Sequence, residues 1–324
     1  MKRFLIVCTV LATALLQYSC DSGGTPFSGR ASYQELELLP PASKVIMFAD
    51  VRAINNSVFV KENEDLLQEK WHSEKDRKSV DEFFEKTGID LKKDIVAVYF
   101  ALASGEGRNA DDRIAVVVNG NFDLAKVAGQ LDETLQEKPG EWDKKSINMK
   151  IMFKNEHDDN GSILLLDDQN ILIGNSGWLE KIAAGTRNKE DNFRDMLQDV
   201  RSGKHFWVVV NKGMNELLPG KSNNPFTERF APLLMARRFA LSAEFSDKLN
   251  FEGFLQFDEE QNSRLFADLA RGGLAAARLA MVDNPAAVDA LNEITIETKD
   301  KRTYIRGEIT ARTVAAVEEQ SNKY

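Results

Sequence analysis

The sequence predicts an α+β fold in two similar halves, each an antiparallel sheet with helices packed on one face, in the repeated order β-α-β-β-α-β-β-α. Three observations lead there. Apolar residues alternate along short runs, as in Leu249, Phe251, Gly253, Leu255 and Phe257 and again in Ile294 and Ile296, the pattern of strands with one covered face. Between these runs lie longer stretches whose apolar residues recur at helical spacing. The order of the two kinds of segment then occurs twice, with a Phe-Asp pair at matching places, Phe122-Asp123 and Phe257-Asp258.

Taken in order, "KVIMFAD" (Lys44 to Asp50) is a strand leading into a helix through Val51 to Val60, and "HFWVVVN" (His205 to Asn211) opens the second half in the same way before "KGMNELL". "DIVAVYFALA" (Asp94 to Ala103) is answered by "RRFALSAEF" (Arg237 to Phe245), in which Phe239, Leu241, Ala243 and Phe245 share one strand face. "RIAVVVNGNFDLAKVAGQL" and "NFEGFLQFDEEQNSRLFADL" each read as a strand, a Phe-Asp pair and a helix. Asp123 and Asp258 stand where a capping carboxylate satisfies the free N–H groups of a first helical turn. The first half closes with "INMKIMFK" and "SILLLDDQNILIGN" before the helix "SGWLEKIAAG", the second with "NEITIETKDKRTYIRGEI" before "TARTVAAVEEQ". A connecting helix over Phe193 to Arg201 precedes Gly203, which divides the chain into halves 36–201 and 202–324.

Ahead of the halves, Met1, Lys2 and Arg3 form a basic start, and Phe4 to Leu16 are almost unbroken apolar sequence. That run is too short for a spanning helix, which takes about 20 residues, and has the form of a secretory signal peptide over residues 1–19. Leu16, Gln17, Tyr18, Ser19 and Cys20 resemble a bacterial lipobox, with Ser19 at the small position before the cut and Gln17 and Tyr18 departing from the usual residues. The resemblance implies lipidation at Cys20, by a diacylglycerol on the thiol and an acyl chain such as palmitate on the new amino terminus. Multiple chains give essentially permanent attachment, so the expected location is the cell envelope, exported and anchored to a membrane. The next stretch, with its Ser-Gly-Gly-Thr-Pro, suits a flexible tether over residues 20–35.

Cys8 and Cys20 are the two cysteines of the 324 residues, and removal of the signal segment leaves one, so no intramolecular disulfide is expected. The same cut takes Lys2 and Arg3 but no acid, moving the formal charge from −9 to −11. That balance argues against a nucleic-acid partner and against electrostatic adhesion to anionic lipid.

The search for chemistry turns to three histidines, His72, His157 and His205. No HExxH spacing, phosphate-binding loop, GxSxG elbow or dinucleotide fingerprint is present. His157 with Asp158, Asp159 and Asn160, joined by Asp167 and Asp168, has the residue types of a hard-cation cluster. Both acidic groups, however, sit between strands, where Asp, Asn and Gly make turns, so no metal site and no cofactor are expected. Gly272 and Gly273 interrupt a helical pattern beside Ala275, Ala276 and Ala277, and the expectation is a helix packed closely on the sheet of its own half.

The stretch "SRLFADLARGGLAAARLAM" and the residues after it as far as Val317, together with "LPPASKVIMFADVRAINNS" and "GIDLKKDI", resemble an uncharacterised family of exported bacterial lipoproteins with two similar α+β halves. The resemblance implies the same fold and location, and carries no catalytic residue. The expected function is that of a membrane-anchored, non-catalytic binding protein for an envelope protein or an apolar ligand. The alternative is a hydrolase acting on envelope material through a cleft between the halves, marked by convergent polar side chains where the first reading calls for an apolar surface.

Overall fold

The structure, a computed structural model, describes residues 33–41, 43–63, 85–104, 113–137, 140–188, 192–200, 203–213 and 235–315. The expected signal peptide, Cys8, Cys20 and His72 lie outside these residues. The fold is mixed α+β, with antiparallel strand pairing throughout the described ladders. Two compact units divide the chain, one drawn from Met1–Asn56 and Glu64–Phe193, the other from Ser57–Asn63 and Arg194–Tyr324.

The described part of the first unit begins with α1 (Tyr33–Leu36), a helix that overlaps the end of the stretch expected as tether. Burial explains it: Leu36, Leu38 and Leu39 are all buried, and the Trp178 indole donates to the Leu38 carbonyl at 2.9 Å. β1 (Ser43–Ala49) leads into α2 (Val51–Asn56). The single helix expected over Val51 to Val60 is broken at Ser57, whose hydroxyl accepts from Val60 N and starts α3 (Val58–Glu62), a part of the second unit. Next come β2 (Ile95–Ala103), β3 (Arg113–Gly120), α4 (Leu124–Glu137), β4 (Trp142–Ile147), β5 (Lys150–Asn155), β6 (Ser162–Asp167), β7 (Asn170–Gly174) and α5 (Ser176–Ala183). The strands lie in the order β1-β2-β3-β7-β6-β5-β4.

Two expectations are corrected in this unit. Four strands, β4 to β7, stand where the predicted β-α-β-β-α-β-β-α order has two: β5 overlaps "INMKIMFK", and β4 pairs with it ahead, the chain turning through Asn148 and Met149 at positive φ. Helices also cover both sheet faces instead of one. On one side Val127, Ala128 and Leu131 of α4 join Val98, Phe100, Val116, Phe153, Leu165 and Ile171 in a single core. Strand alternation sends Leu164, Leu166 and Leu172 the other way, and α5 packs on β5, β6 and β7 through Trp178, Leu179 and Ile182, which are buried outside the α4 core. The unbroken burial of Ala97 to Ala101 follows from coverage on both sides.

Besides α3, the second unit takes the chain from Arg194 onward, within α6 (Asn192–Leu197), where the sequence placed the division after residue 201. The reason is local: Arg238 donates to the Asp195 carbonyl and pairs with Asp199, so the chain beyond α6 is fastened to second-unit strands. β8 (Phe206–Val210), β9 (Arg238–Phe245), β10 (Lys248–Gln256), α7 (Glu260–Ala280), α8 (Pro285–Asn292), β11 (Thr295–Lys299) and β12 (Arg302–Thr310) come next, and 311–315 is a short helical segment. The strand order is β8-β9-β10-β12-β11. α7 lies across β11 and β12, and its Phe266 and Ala270 pack with Leu255, Phe257, Phe239, Ala236 and Ile305. Thr303 fixes the helix height by donating to the Ser263 carbonyl at 2.8 Å, with the two hydroxyls 3.1 Å apart.

Candidate functional site

The acidic loop predicted as a turn is built as one. Asn155 Oδ1 accepts from the backbone N–H of His157 and Asp158, and Asp158 Oδ1 accepts from Asn160 N. Asn160 Oδ1 reaches across to Ile114 N, and Asp159 Oδ1 accepts from the Ser176 hydroxyl. These oxygens are therefore spent on the protein's own donors. Asp167 Oδ1 is used likewise by Gln169 N and Asn170 Nδ2 in the β6–β7 turn. Among the described residues no cluster of His, Cys, Asp and Glu is arranged to hold a metal ion. His205 supports a strand end, its Nδ1 accepting from Phe245 N at 3.1 Å.

The two Phe-Asp pairs differ in detail. Asp123 caps α4 through Lys126 N, as expected. Asp258 does not cap α7: Glu259 holds the N-cap position without a side-chain bond, and Asp258 instead pairs with Arg237 Nε at 2.6 Å. The Asp199 carboxylate lies 2.7 Å from Arg238 and 3.4 Å from Arg302. Arg302 also donates to Gln256 Oε1 and lies 4.3 Å over the Phe254 ring. This arrangement fastens the α6 segment to β9 and β12.

What stands out chemically is α7. At 100° per residue, Ser263, Phe266, Ala267 and Ala270 face the sheet, while Leu265, Leu269, Gly272, Ala276 and Leu279 fall on the opposite side. A surface helix ordinarily turns a polar face outward. Here Leu265 is 53 %, Leu269 44 % and Leu279 74 % exposed, and Val282 just beyond the helix is 66 % exposed. Charge is confined to one flank by Arg264, Arg271 and Arg278, seven residues apart. Arg264 pairs with Glu260, Arg271 bridges to Asp268 and the Ile296 carbonyl, and Arg278 donates to the Leu291 carbonyl.

Gly272 and Gly273 belong to this outer face, which corrects the expectation that they let α7 pack closely on its own sheet. A Cβ added at either would meet nothing within 4 Å. The outward stripe was missed in the sequence although its signal, Leu-Leu-small-small-Leu at alternating spacings of four and three, is there. No helix among the described residues is long and apolar enough to cross a membrane.

No protein-family model matches the chain, and no curated protein does. Among solved structures, "Structure of crystal form I of TP0453" is similar at a TM-score of 0.43 and 12% identity, over 88% of this chain and 96% of that one.

Proposed function

We propose that the protein is a cell-envelope lipoprotein, exported and anchored to a membrane through acyl chains on Cys20, that works as a non-catalytic interaction protein. The outer face of α7 is its docking surface. The observation that carries the binding role is the exposed line of Leu265, Leu269 and Leu279 on a helix whose other face is already buried. Solvent contact with such a line is unfavourable at roughly 25 cal/mol per Å² of apolar surface, so a covering partner is the state in which this sequence makes physical sense. The anchor rests on the sequence alone: the basic start, the short apolar run and the seam at Cys20.

The test combines two measurements on the exported chain. Mass spectrometry of the mature N-terminus is expected to find acylated Cys20; an unmodified Cys20 inside a longer chain overturns the anchor. A Leu279→Cys variant is then treated with a membrane-impermeant maleimide, purified and in envelopes opened to admit the reagent. Reaction in the purified chain and protection in the envelope supports the docking surface, and equal reaction in both refutes it.

The two units are further read as copies of one ancestral unit, in keeping with the lipoprotein family that the sequence resembles. Supporting this is the shared strand order, β1-β2-β3-β7-β6 in the first and β8-β9-β10-β12-β11 in the second. In each, the third strand runs into a buried Phe, Phe122 or Phe257, an Asp and the longest described helix of the unit. On this reading the β4–β5 hairpin is an addition to the first copy.

A further inference from the structure

We propose that the partner covering the outer face of α7 is α7 of a second copy, packed antiparallel about a two-fold axis near Leu274. The proposal rests on the docking-surface reading above and names its occupant. The stripe has the spacing of a coiled-coil seam, with Leu265, Gly272 and Leu279 at one core position and Leu269 and Ala276 at the other. Reversing the helix about Leu274 sets Leu269 against Leu279 and Gly272 against Ala276, so over this central stretch large meets large and small meets small, while Leu265 falls opposite Asp283, past the partner helix's end. A surface that complements itself under a two-fold rotation is what an isologous dimer requires.

The glycines separate this partner from a lipid surface. A helix that sinks into a bilayer interface gains from bulky side chains along its apolar face, and Gly272, Gly273, Ala275 and Ala276 offer little of that. A helix backbone approaching closely uses the same four residues directly, since among the described residues nothing lies within 4 Å of a Cβ added at Gly272 or Gly273. Two glycines in a helix interior, placed where their own fold makes no use of them, are thereby accounted for.

Size sets the strength. A helix of 21 residues is about 30 Å long. A single helix pair of that length buries on the order of 400 Å² per partner, about half of a standard stable interface. Free in dilute solution the chain is therefore expected to be monomeric, with a dissociation constant on the order of tens of micromolar or weaker. Confinement to a membrane raises the effective concentration, which favours the same contact.

The experiment uses the full chain with Cys8→Ala and Cys20→Ala, so that an introduced cysteine is the sole thiol. Leu269→Cys and Leu279→Cys chains are oxidised with copper–phenanthroline at high concentration, separately and mixed. The expected result is a disulfide-linked dimer at least tenfold more abundant in the mixture than in either chain alone, and abolished when Ala276→Arg is added to both. A melting temperature unchanged by Ala276→Arg shows that this loss is not unfolding. Efficient cross-linking of either chain alone indicates a parallel or random encounter and overturns the proposal. So does no cross-linking, and so does a fluorophore at Leu279→Cys that shifts blue on vesicles of phosphatidylcholine and phosphatidylglycerol without any dimer, since the bilayer is then the occupant. The anchor is judged separately from the N-terminal mass of the unaltered protein, so either reading fails without deciding the other.

Discussion

Asp199 and Arg238 form an ion pair, Oδ2 to Nη2 2.7 Å, just where the chain passes into the second unit. The Asp199 side chain is only 10% exposed and also serves Arg302, so one carboxylate holds two strands and the segment after α6. Replacing it leaves Arg238, itself mostly buried, without a counter-charge. Asp199→Ala is expected to lower stability by about 2–3 kcal/mol, and Asp258→Ala, in an exposed pair with Arg237, by less than about 1 kcal/mol. Urea unfolding of the two variants beside the parent checks the ranking; equal losses would contradict it.

Acid should weaken one contact in a defined window. The Lys204 ammonium donates to Glu244, and this bond holds the Glu244 carboxyl below the usual glutamate range. A carboxyl depressed in the folded state binds fewer protons there than when unfolded. Its contribution is therefore complete above the unfolded pKa and is lost as pH falls through the folded one. The pair is nearly half exposed on the Glu244 side, so the effect is small. Unfolding midpoints of the parent and of Lys204→Met are expected to differ near neutrality and to converge in acid below the ordinary glutamate pKa. A gap that persists in strong acid would assign the loss to packing of the lysine stem.

Glycine substitutions should have opposite signs at two places. A Cβ at Gly120 would sit 2.2 Å from the Asp94 carbonyl oxygen and 2.8 Å from the Phe122 ring. Gly120→Ala is expected to cost about 2–3 kcal/mol, because the obstacle is backbone. Gly272→Ala, with open space around it, is expected to gain about 0.5–1 kcal/mol in the dilute chain. Thermal unfolding of the two variants provides the comparison, and a destabilised Gly272→Ala would mean that its own unit does use the glycine.

The loop at His157 is expected to stand without a cation. Chelator should leave the melting temperature of the chain unchanged, whereas Asn155→Ala, which removes the acceptor for two backbone N–H groups, should lower stability by about 1–2 kcal/mol. A melting temperature that falls on chelation and returns with one particular ion would overturn the turn reading.

Much of the strand content was legible because alternation survives in runs such as Leu249 to Phe257, and Phe122-Asp123 marks a real helix start. Other features were hidden for identifiable reasons. β4, "WDKKSI", has little apolar alternation, and pairing with β5 makes it a strand. The coverage of both first-unit faces was signalled by the unbroken apolar run in "IVAVYFALA", a pattern that differs from one-sided alternation. Asp258 has the position of a cap in the sequence, but its carboxylate is drawn away by Arg237, a strand neighbour that local spacing does not reveal. The outward side of α7 was overlooked because small residues inside a helix fit an internal contact as well as an external one.

A protein that leaves an apolar helix face exposed has a second surface to guard, and β4 shows how. It ends the strand order of the first unit and, among the described residues, pairs only with β5, which leaves a row of backbone donors and acceptors that another chain's strand would fit. Lys144 and Lys145 stand on that strand, anchored to Asp132 of α4 and Glu180 of α5. Any strand laid alongside would have to strip water from both ammonium groups. The first unit thus carries its own guard against amyloid-like growth, and crowding such molecules together favours orderly contacts over runaway sheet extension.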